Sequence, residues 1–578
     1  MDDTRVSEVV KTLPGGDGSG RGGDRASDPF DVGVGSIPCA KASVVRPLSY
    51  PEATWLHSSG RPREVLVLPW SGESDSRGGK HVLNSLKRRA IQGGLRVHLP
   101  RVHFMASSIQ QLYRQVTGDV LSSKDADYDQ IRRGWDLTID HYPKVILVPH
   151  DAADIAAGVR FAHESGLAVA VQSTGHGMLY PADDNLLIVT SRMTSIQVDA
   201  EARTALVEAG TTWQQVLDTA TPHSLAPLLG SSPHVGVVGY MLGGGIGWLA
   251  RRYGFGSDSL RQIDIVTADG VLRHASPSEN SELFWGLRGG GGNFGVVVAM
   301  EFDLYPVPAL YGGSLVYPEQ TAGEALRFYR DWIRTVPDEL TSSIAIVSFP
   351  SLPQVPEAFR GKTLVLVVAA FAGPAVEGEP WMRPWLDWQA PIDNSLREMP
   401  FSEIGTITND PVDPVAEYGS SDMFDDLSDD AIDAIVRLAT DSASPLTLNV
   451  LRHAGGAIAG APADASAIGN RDASLYLLIG GAVPDSAALA TVKAYIQRYR
   501  AALQPYVRGG VWMNFMNGNG DGARERVTEA YLPEAQGRLA ALKAKYDPDN
   551  MFRFSYQLTG LGTQEGSTVG EGRVKPSA

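Results

Sequence analysis

The stretch GSSPHVGVVGYMLGGGIG, residues 230–247, is the longest of three glycine-rich segments that decide how this chain is interpreted. The other two are STGHG at 173–177 and GGGGNFG at 289–295. Glycine clusters at loop positions mark backbone that turns with positive φ or that touches a ligand closely. Successive backbone N–H groups in such turns form concave anion sites, which hold a pyrophosphate without side-chain charge. Three such segments within about 120 residues favour a large dinucleotide ligand over tight turns alone.

One dinucleotide fingerprint is present but lies in the wrong context. The run from Gly245 to Ala250 fits the pattern G-x-G-x-x-G/A, and Asp264 follows at a suitable distance. A Rossmann crossover needs an unbroken helix after these glycines, whereas Gly254 and Gly256 interrupt the sequence there. Asp264 also lies inside the next strand. The sequence therefore argues against a nicotinamide site of the Rossmann type.

Strands and helices alternate around the glycine-rich segments. The strand VILVP begins at Val145, Asp151 can cap the following helix, Gly166 ends that helix, and LAVAV follows as a buried strand. Further predicted elements are LLIVT, ALVEAG, a helix from Thr212 to about residue 220, IDIVT and VVVAMEFDLYPV. This pattern predicts a first α+β domain over residues 126–308.

A second domain is predicted over residues 309–504. Its helix candidates are AGEALRFYRDWIRTV, DDAIDAIVRLATD and DSAALATVKAYIQRYR, and its strand candidates are SSIAIVSF, TLVLVVAAF, LTLNVLR and SLYLLIGG. The pattern indicates an antiparallel sheet covered by helices on one face. Residues 505–558 are predicted to return to the first domain with a short strand near Val511, a helix and the turn YDPDN. Residues 1–80 are predicted to be a disordered head, 81–125 a lead-in and 559–578 a loose tail.

Composition excludes several classes of function. The chain has 578 residues, 50 Lys and Arg against 66 Asp and Glu, and a formal charge of −16, so it repels nucleic-acid backbones and anionic membrane surfaces. The longest apolar run, from Leu364 to Ala372, is shorter than a membrane span, and no secretory signal is readable, which predicts a cytoplasmic protein. The single cysteine, Cys39, excludes an intrachain disulfide and a multi-thiolate metal site, and we expect neither a metal nor a role for this thiol.

The order of the motifs resembles one protein family. A strand, S-T-G-H, the segment G-x-S-x-x-V-G-x-x-G-x-x-x-G-G-G, then G-G-G-G-N-F-G and a final K-Y-D-P-D-N-M-F are similar to the FAD-linked oxidases of the vanillyl-alcohol oxidase superfamily, specifically the berberine-bridge-enzyme-like branch. The resemblance covers about three quarters of the chain, from Tyr128 to Leu558. It implies an α+β, two-lobed FAD-binding fold of the PCMH type with a substrate domain built on an antiparallel sheet.

The resemblance assigns the cofactor to particular residues. His176 stands where the family attaches the flavin 8α-methyl to a histidine, and Ser232 stands where many members have a second, cysteinyl link. Serine cannot form a thioether, so we expect FAD bound covalently through His176 only, with a non-covalent flavin as the alternative if His176 does not attach it. Ser173 and Thr174 are expected to compensate for an arginine that the family has in this loop. The implied FAD-binding residues are Gln172, Ser173, Thr174, Gly175, His176, Gly177, Ser232, Val235, Gly236, Gly239, Gly243, Gly244, Gly245 and Asn514.

The catalytic residues are less clear from the resemblance. The family's Y-x-N is Trp512-Met513-Asn514 here, so the usual tyrosine base is absent. His453 and Tyr476 are the candidate substitutes. Asn514 is expected to donate to the flavin, and Trp512 is expected to form an aromatic wall of the substrate pocket.

The resulting hypothesis is an FAD-dependent oxidoreductase that takes a hydride from an alcohol, a sugar or a natural-product carbon. The small side chain of Val235, at the position that gates oxygen in the family, favours O2 as the acceptor. Oxidative ring closure is equally allowed. Two alternatives stay open, namely a dehydrogenase with another acceptor and a flavin-binding protein without catalysis.

Overall fold

The first lobe consists of two small sheets that meet at the glycine-rich loops. The computed structural model describes residues 102–516 and 526–558, with the backbone only for residues 102–108. The expectations for the head, for Cys39, for the tail after residue 558 and for most of the lead-in lie outside these residues. The elements of this lobe are α1 (Val102–Gln115), β1 (Asp119–Leu121), α2 (Tyr128–Ile131), β2 (Val145–Val148), α3 (Ala152–Ser165), β3 (Val169–Gln172), β4 (Leu186–Val189), β5 (Ile196–Asp199), β6 (Thr204–Glu208), α4 (Trp213–Ala220), α5 (Val237–Leu242), α6 (Ala250–Tyr253), β7 (Leu260–Val266), β8 (Leu272–Ala275), α7 (Ser281–Leu287) and β9 (Val296–Asp303).

The predicted β-α-β unit is present, with one strand inserted. The first sheet has the order β1-β2-β4-β3, in which β2, β4 and β3 are parallel. Asp151 caps α3 by accepting hydrogen bonds from the N–H groups of Ala153 and Asp154, and Gly166 ends it at φ +65°. The second sheet is antiparallel with the order β5-β6-β9-β7-β8. In the first sheet, β3 ends at Gln172, and the chain continues directly into STGHG at 173–177.

The second lobe is one antiparallel sheet with helices on one face. Its elements are β10 (Ala309–Pro318), α8 (Ala322–Trp332), β11 (Leu340–Ser348), β12 (Thr363–Phe371), α9 (Ala375–Trp388), β13 (Asp393–Asn394), β14 (Arg397–Pro400), β15 (Glu417–Phe424), α10 (Asp429–Ala439), β16 (Leu448–His453), α11 (Ala457–Gly460), β17 (Leu475–Ala482) and α12 (Ser486–Leu503). The strand order is β13-β10-β12-β11-β16-β17-β15, and β14 pairs with β10.

The two faces of this sheet have different partners. Val365, Val367 and Ala369 of β12 belong to the core beneath α8, α9, α10 and α12. The alternate residues Val368 and Ala370 belong to the core of the first lobe. Because side chains of a strand alternate between faces, one face carries the helices and the other faces the first lobe. This arrangement confirms the predicted α+β, two-lobed fold, while the domain boundaries stay a prediction.

The returning segment differs from its prediction in one element. The strand expected near Val511 is wrong, because Met513–Phe515 form a 3-10 turn there. The side chain of Asn514 bonds to two backbone groups of the first lobe, which holds this stretch away from a strand conformation. The last helix is α13 (Pro533–Tyr546). In the described part of the chain, no helix combines the length and the apolar character needed to cross a bilayer.

Candidate active site

The segment STGHG at 173–177, called the histidine loop below, is fixed to the backbone of a neighbouring segment. The carbonyl oxygen of Thr174 accepts a hydrogen bond from the Trp135 N–H at 3.0 Å, and that of Gly175 accepts one from the Asp136 N–H at 3.2 Å. Gly175 has φ +79°, and a Cβ at this position would overlap the backbone of Gly134. Only glycine fits this close approach without strain. The backbone that leads into His176 is therefore fixed in position.

The imidazole of His176 is neutral and oriented. It stacks on the indole of Trp135 with 4.2 Å between ring centroids and 12° between the planes. The hydroxyl of Thr174 lies 2.8 Å from Nδ1, and Nε2 is buried without a hydrogen-bond partner. Burial, with a smaller contribution from the charge of His234, lowers the pKa of His176 to about 4. At neutral pH the ring thus carries a lone pair that can act as a nucleophile.

The longest glycine-rich segment lies directly against the histidine loop. A Cβ at Gly236, the residue before α5, would come within 2.9 Å of the Ser173 hydroxyl. Val235 is partly buried against the core of the first lobe, and its carbonyl oxygen accepts from the Trp213 N–H at 3.1 Å. The structure thus brings together the two loops that the sequence assigned to the cofactor.

Asn514 bonds to the glycine-rich segment itself. Its Nδ2 donates to the carbonyl oxygen of Tyr240 at 3.1 Å, and its Oδ1 accepts from the Gly245 N–H at 2.8 Å. A Cβ at Gly243 would fall within 2.7 Å of the same amide. Gly244 and Gly245 have φ +111° and +76°. Asn514 therefore positions these glycines, and donation to a flavin stays a prediction.

The residues of the two loops fit an FAD cofactor. Four buried polar atoms lie along them without a hydrogen-bond partner, namely the hydroxyl oxygens of Ser173, Ser232 and Tyr240 and Nε2 of His176. A Cβ at Gly177 or Gly239 would meet nothing within 4 Å, so the backbone there is open to close approach. Buried polar groups require partners, and a dinucleotide offers many along its length. Gln172 combines both situations, because its Nε2 donates to the carbonyl oxygens of Ile131 and Arg133, whereas its Oε1 is buried without a hydrogen-bond partner.

A small cavity of about 10 Å³ lies where the glycine-rich segment meets the antiparallel sheet of the second lobe, called the large sheet below. The first lobe contributes Ser231, Ile246, Gly247, Trp248 and Ala250, and the sheet contributes Thr341, Ser342, Arg452, His453 and Tyr476. Ser343, Arg452 and Tyr476 are direct cross-strand neighbours on β11, β16 and β17. They therefore form one row on the face of the sheet that is turned to the first lobe.

Tyr476 and Arg452 influence each other's protonation. Burial raises the pKa of Tyr476 above its ordinary value, and the charge and side-chain interaction of Arg452 oppose this shift. Burial lowers the pKa of Arg452, but the interactions with Tyr476 and Asp410 outweigh it and the net direction is upward. Arg452 thus remains a cation beside a phenol. Its guanidinium carbon also lies 5.9 Å from the ring centroid of Trp248 and 5.8 Å from that of Phe515.

His453 is held in one protonation state by a neighbouring arginine. Nη1 of Arg251 lies 2.8 Å from Nε2 of His453, and Nδ1 is buried without a partner. A guanidinium only donates, so Nε2 is the acceptor and Nδ1 carries the proton. Burial and the charge of Arg251 lower the pKa of His453 to about 3. Its one lone pair is therefore engaged, which disfavours His453 as a base.

Trp512 lies behind the cavity. Its ring packs edge-on against Tyr476 and Phe255, with centroids 5.0 and 5.2 Å apart, and its indole N–H donates to the carbonyl oxygen of Gly469. The cavity lining does not include Trp512. Its predicted role as a pocket wall is therefore indirect, through support of Tyr476.

Three residues of the site were missed by the sequence reasoning. Trp135 and Arg251 come from segments without a motif. Arg452 left a signal, because it is a charged residue inside the apolar strand LTLNVLR. Among the residues that the structure describes, no cluster of His, Cys, Asp and Glu could hold a metal ion.

Comparison with known proteins agrees with this geometry. A family model described as FAD binding domain matches residues 143–276, and one described as berberine and berberine like matches residues 511–556. An FAD-linked oxidoreductase of Dictyostelium discoideum is 26% identical over 451 residues, covering 77% of this chain and 95% of that protein. The (R)-6-hydroxynicotine oxidase of Paenarthrobacter nicotinovorans is 28% identical over 472 residues, covering 78% and 98%.

A solved structure shares the fold. The glucooligosaccharide oxidase of Acremonium strictum superposes with a TM-score of 0.66 at 24% identity, covering 77% of this chain and 97% of that protein. That protein is described as having a 6-S-cysteinyl, 8α-N1-histidyl FAD. The two matched segments include the histidine loop and Asn514, each of which contacts the glycine-rich segment 230–247. The chain thus contains segments similar to an FAD binding domain and to a berberine-like C-terminal segment, and it is an FAD-dependent oxidoreductase.

Proposed function

We propose that this enzyme oxidises a small organic substrate in the cavity between the glycine-rich segment and the large sheet. When bound, FAD supplies the hydride acceptor. The observation that carries the proposal is that Tyr476 and Arg452 are adjacent on the sheet and line the same cavity as Gly247 and Trp248. Among relatives, one is named an oxidase of (R)-6-hydroxynicotine, which supports a small substrate bearing a C–O or C–N bond.

Tyr476 is the base in this proposal. It accepts the proton from the hydroxyl or amine of the carbon that is oxidised, while Arg452 stabilises the phenolate. Of the two candidates from the sequence, His453 is disfavoured because Arg251 occupies its lone pair. Tyr476 is 2% exposed, so little bulk water competes for the proton.

His176 is proposed as the single covalent attachment point. Its depressed pKa keeps the ring neutral, and its Nε2 has no hydrogen-bond partner. Ser232 lies in the partner loop but has no thiol to offer. O2 is the proposed electron acceptor, because Val235 places a small side chain at the family's oxygen-gating position. A dehydrogenase with another acceptor is the alternative, and turnover in air without an added dye distinguishes the two.

Rapid anaerobic mixing tests the proposal. The wild type and Tyr476→Phe are mixed with a panel of alcohols, amines and organic acids, and bleaching of the flavin absorption band is followed. Loss of a general base lowers such a rate by about 10²- to 10⁴-fold. Tyr495→Phe is the matched control, because this tyrosine bonds to Leu438 in the helical layer. Equal rates in the wild type and Tyr476→Phe would reject Tyr476 as the base, and a flavin that no substrate reduces would favour a binding protein without catalysis.

A further inference from the structure

Arg452, which is partly buried, differs from the buried Arg251, Arg471 and Arg526 in lacking a carboxylate partner. Arg251, Arg471 and Arg526 lie 3.0, 2.7 and 2.9 Å from the carboxylates of Asp338, Asp258 and Glu529. Within residues 102–516 and 526–558, no carboxylate forms an ion pair with Arg452, and its Nε is buried without a hydrogen-bond partner. Asp410 acts on Arg452 through its charge without such a contact.

The rest of the cavity also favours an anion. The residues that line it include no acidic side chain in the described part of the chain. The hydroxyl of Thr341 lies in this wall, buried and without a hydrogen-bond partner, and Ser231 adds a second hydroxyl. Hydroxyls can donate, and the guanidinium can only donate. The polar groups of the cavity therefore offer donors and one positive charge.

An uncompensated cation is unfavourable in such a place. Removing a guanidinium from water is unfavourable unless an opposite charge or hydrogen bonds replace the lost hydration. A planar carboxylate matches the fork of guanidinium N–H groups in a bidentate pair. With five N–H donors, Arg452 can bind a carboxylate and still interact with Tyr476.

We propose that Arg452 binds a carboxylate of the substrate, so that the substrate class is a small organic acid with the oxidised C–O or C–N group close to its carboxylate. This inference rests on the proposed function, because Tyr476 is the base next to Arg452. The rings of Trp248 and Phe515 beside the guanidinium favour an acid that also carries a flat apolar portion.

Binding of two probes of matched shape tests the proposal without turnover. The flavin-loaded enzyme is titrated with benzoate and with benzamide, and the flavin absorption band and tryptophan fluorescence are recorded. We expect benzoate to bind at least tenfold more tightly than benzamide to the wild type. Arg452→Gln should abolish this preference, and Arg452→Lys, which keeps the charge but not the fork, should retain part of it.

Arg334→Gln removes an arginine that pairs with Asp426 and that does not line the cavity, so it should leave both affinities unchanged. Equal binding of benzoate and benzamide to the wild type, or unchanged benzoate binding in Arg452→Gln with an intact flavin spectrum, would overturn the proposal. Tyr476→Phe should still prefer benzoate, so a failed base assignment and a failed carboxylate site give different results.

Discussion

The imidazole of His176 is fixed by one hydroxyl from its own glycine-rich segment and by one ring from outside all three segments. Trp135 sets the plane of the ring, and Thr174 bonds to Nδ1. Stacking contributes about 0.5–1.5 kcal/mol beyond the buried area. Trp135 is therefore a positioning residue for flavin attachment.

We predict that His176→Ala will lose covalent flavin and that Trp135→Ala will attach it more slowly. Intact mass after acid precipitation is the measurement, and the wild type should retain the mass of one FAD. Trp135→Ala should reach a lower attached fraction at equal incubation time, because its imidazole is no longer held in one plane. If His176→Ala still carries flavin after acid, the attachment point lies elsewhere.

The alkaline behaviour of the reaction depends on Tyr476. Its pKa is raised by burial, and a base acts only when deprotonated, so the rate of flavin reduction should increase with pH through a limb above the ordinary tyrosine value of about 10. Arg452→Gln removes an effect that lowers this pKa, and should move the limb to higher pH. Anaerobic stopped-flow rates between neutral and strongly alkaline pH measure both. If the limb has the same position in Arg452→Gln as in the wild type, Arg452 does not influence the pKa of Tyr476.

Single residues of the site were predictable to different degrees. His176 follows a strand and sits in a glycine turn, which is a local pattern that the sequence displays. The Arg251 contact with His453 joins positions that are 202 residues apart, and no local pattern encodes it. For the same reason, the sequence could propose His453 as a base but could not show that its lone pair is occupied.

At the scale of elements, the glycines of segment 230–247 have distinct functions. Gly247 lies so close to the carbonyl oxygen of Leu229 that a Cβ would overlap it. Gly239, inside α5, faces open space. Gly247 is thus required for packing, whereas Gly239 is free of packing constraints within the protein.

We predict opposite effects for alanine at these two positions. Gly247→Ala should destabilise the fold, because backbone must move to relieve the overlap. Gly239→Ala should leave the free energy of unfolding of the flavin-free protein unchanged or raise it by about 0.5–1 kcal/mol, since alanine is the better helix former. The same variant should retain less FAD if the cofactor approaches this backbone. Calorimetry of the flavin-free protein and flavin-to-protein ratios measure the two effects, and a Gly239→Ala protein with full FAD content would contradict the assignment.

Elements with a clear period were predicted well, and those with mixed signals were not. The apolar runs that became β11, β12, β16 and β17 are strands because both faces of the sheet are covered. Helix α9 was missed because Pro380 and Pro384 lie inside it and read as breaks. The turn at Met513–Phe515 depends on contacts of Asn514 with a distant segment.

The whole molecule is closed by its C-terminal segment. Nζ of Lys543, on α13, donates to the carboxylate of Asp547 at 2.6 Å and to the carbonyl oxygens of Asn293 and Phe552 at 2.9 and 3.0 Å. Asp547 accepts in turn from the N–H groups of Met551 and Phe552. Asn293 belongs to GGGGNFG. This buried ion pair therefore ties YDPDN to the third glycine-rich segment.

We predict that Lys543→Met lowers the free energy of unfolding by about 3–5 kcal/mol, because it leaves the buried carboxylate of Asp547 without its cation. Lys545→Met, an exposed lysine two residues on, should change it by less than about 0.5 kcal/mol. Denaturant unfolding measures both. The double variant with Asp547→Asn should lose less than the sum of the single changes, and strict additivity would show that the pair is not coupled.

The global arrangement could be inferred only through resemblance. Periodicity indicates which strands are buried, yet it does not say that one face of the large sheet packs on helices and the other on the first lobe. The cavity between the lobes arises from that choice, and its lining combines residues from both halves of the chain.

The bonds of Arg251 join the first lobe to the second and limit how the two can move. From α6 of the first lobe, Arg251 donates to the carbonyl oxygens of Leu340 and Ala454 and to the carboxylate of Asp338, all in the second lobe. A movement of the two lobes away from each other would break these bonds together and leave the guanidinium of Arg251 without these partners. Reactant entry and product escape should therefore proceed through side-chain fluctuations at the rim, and catalytic turnover should be insensitive to solvent viscosity.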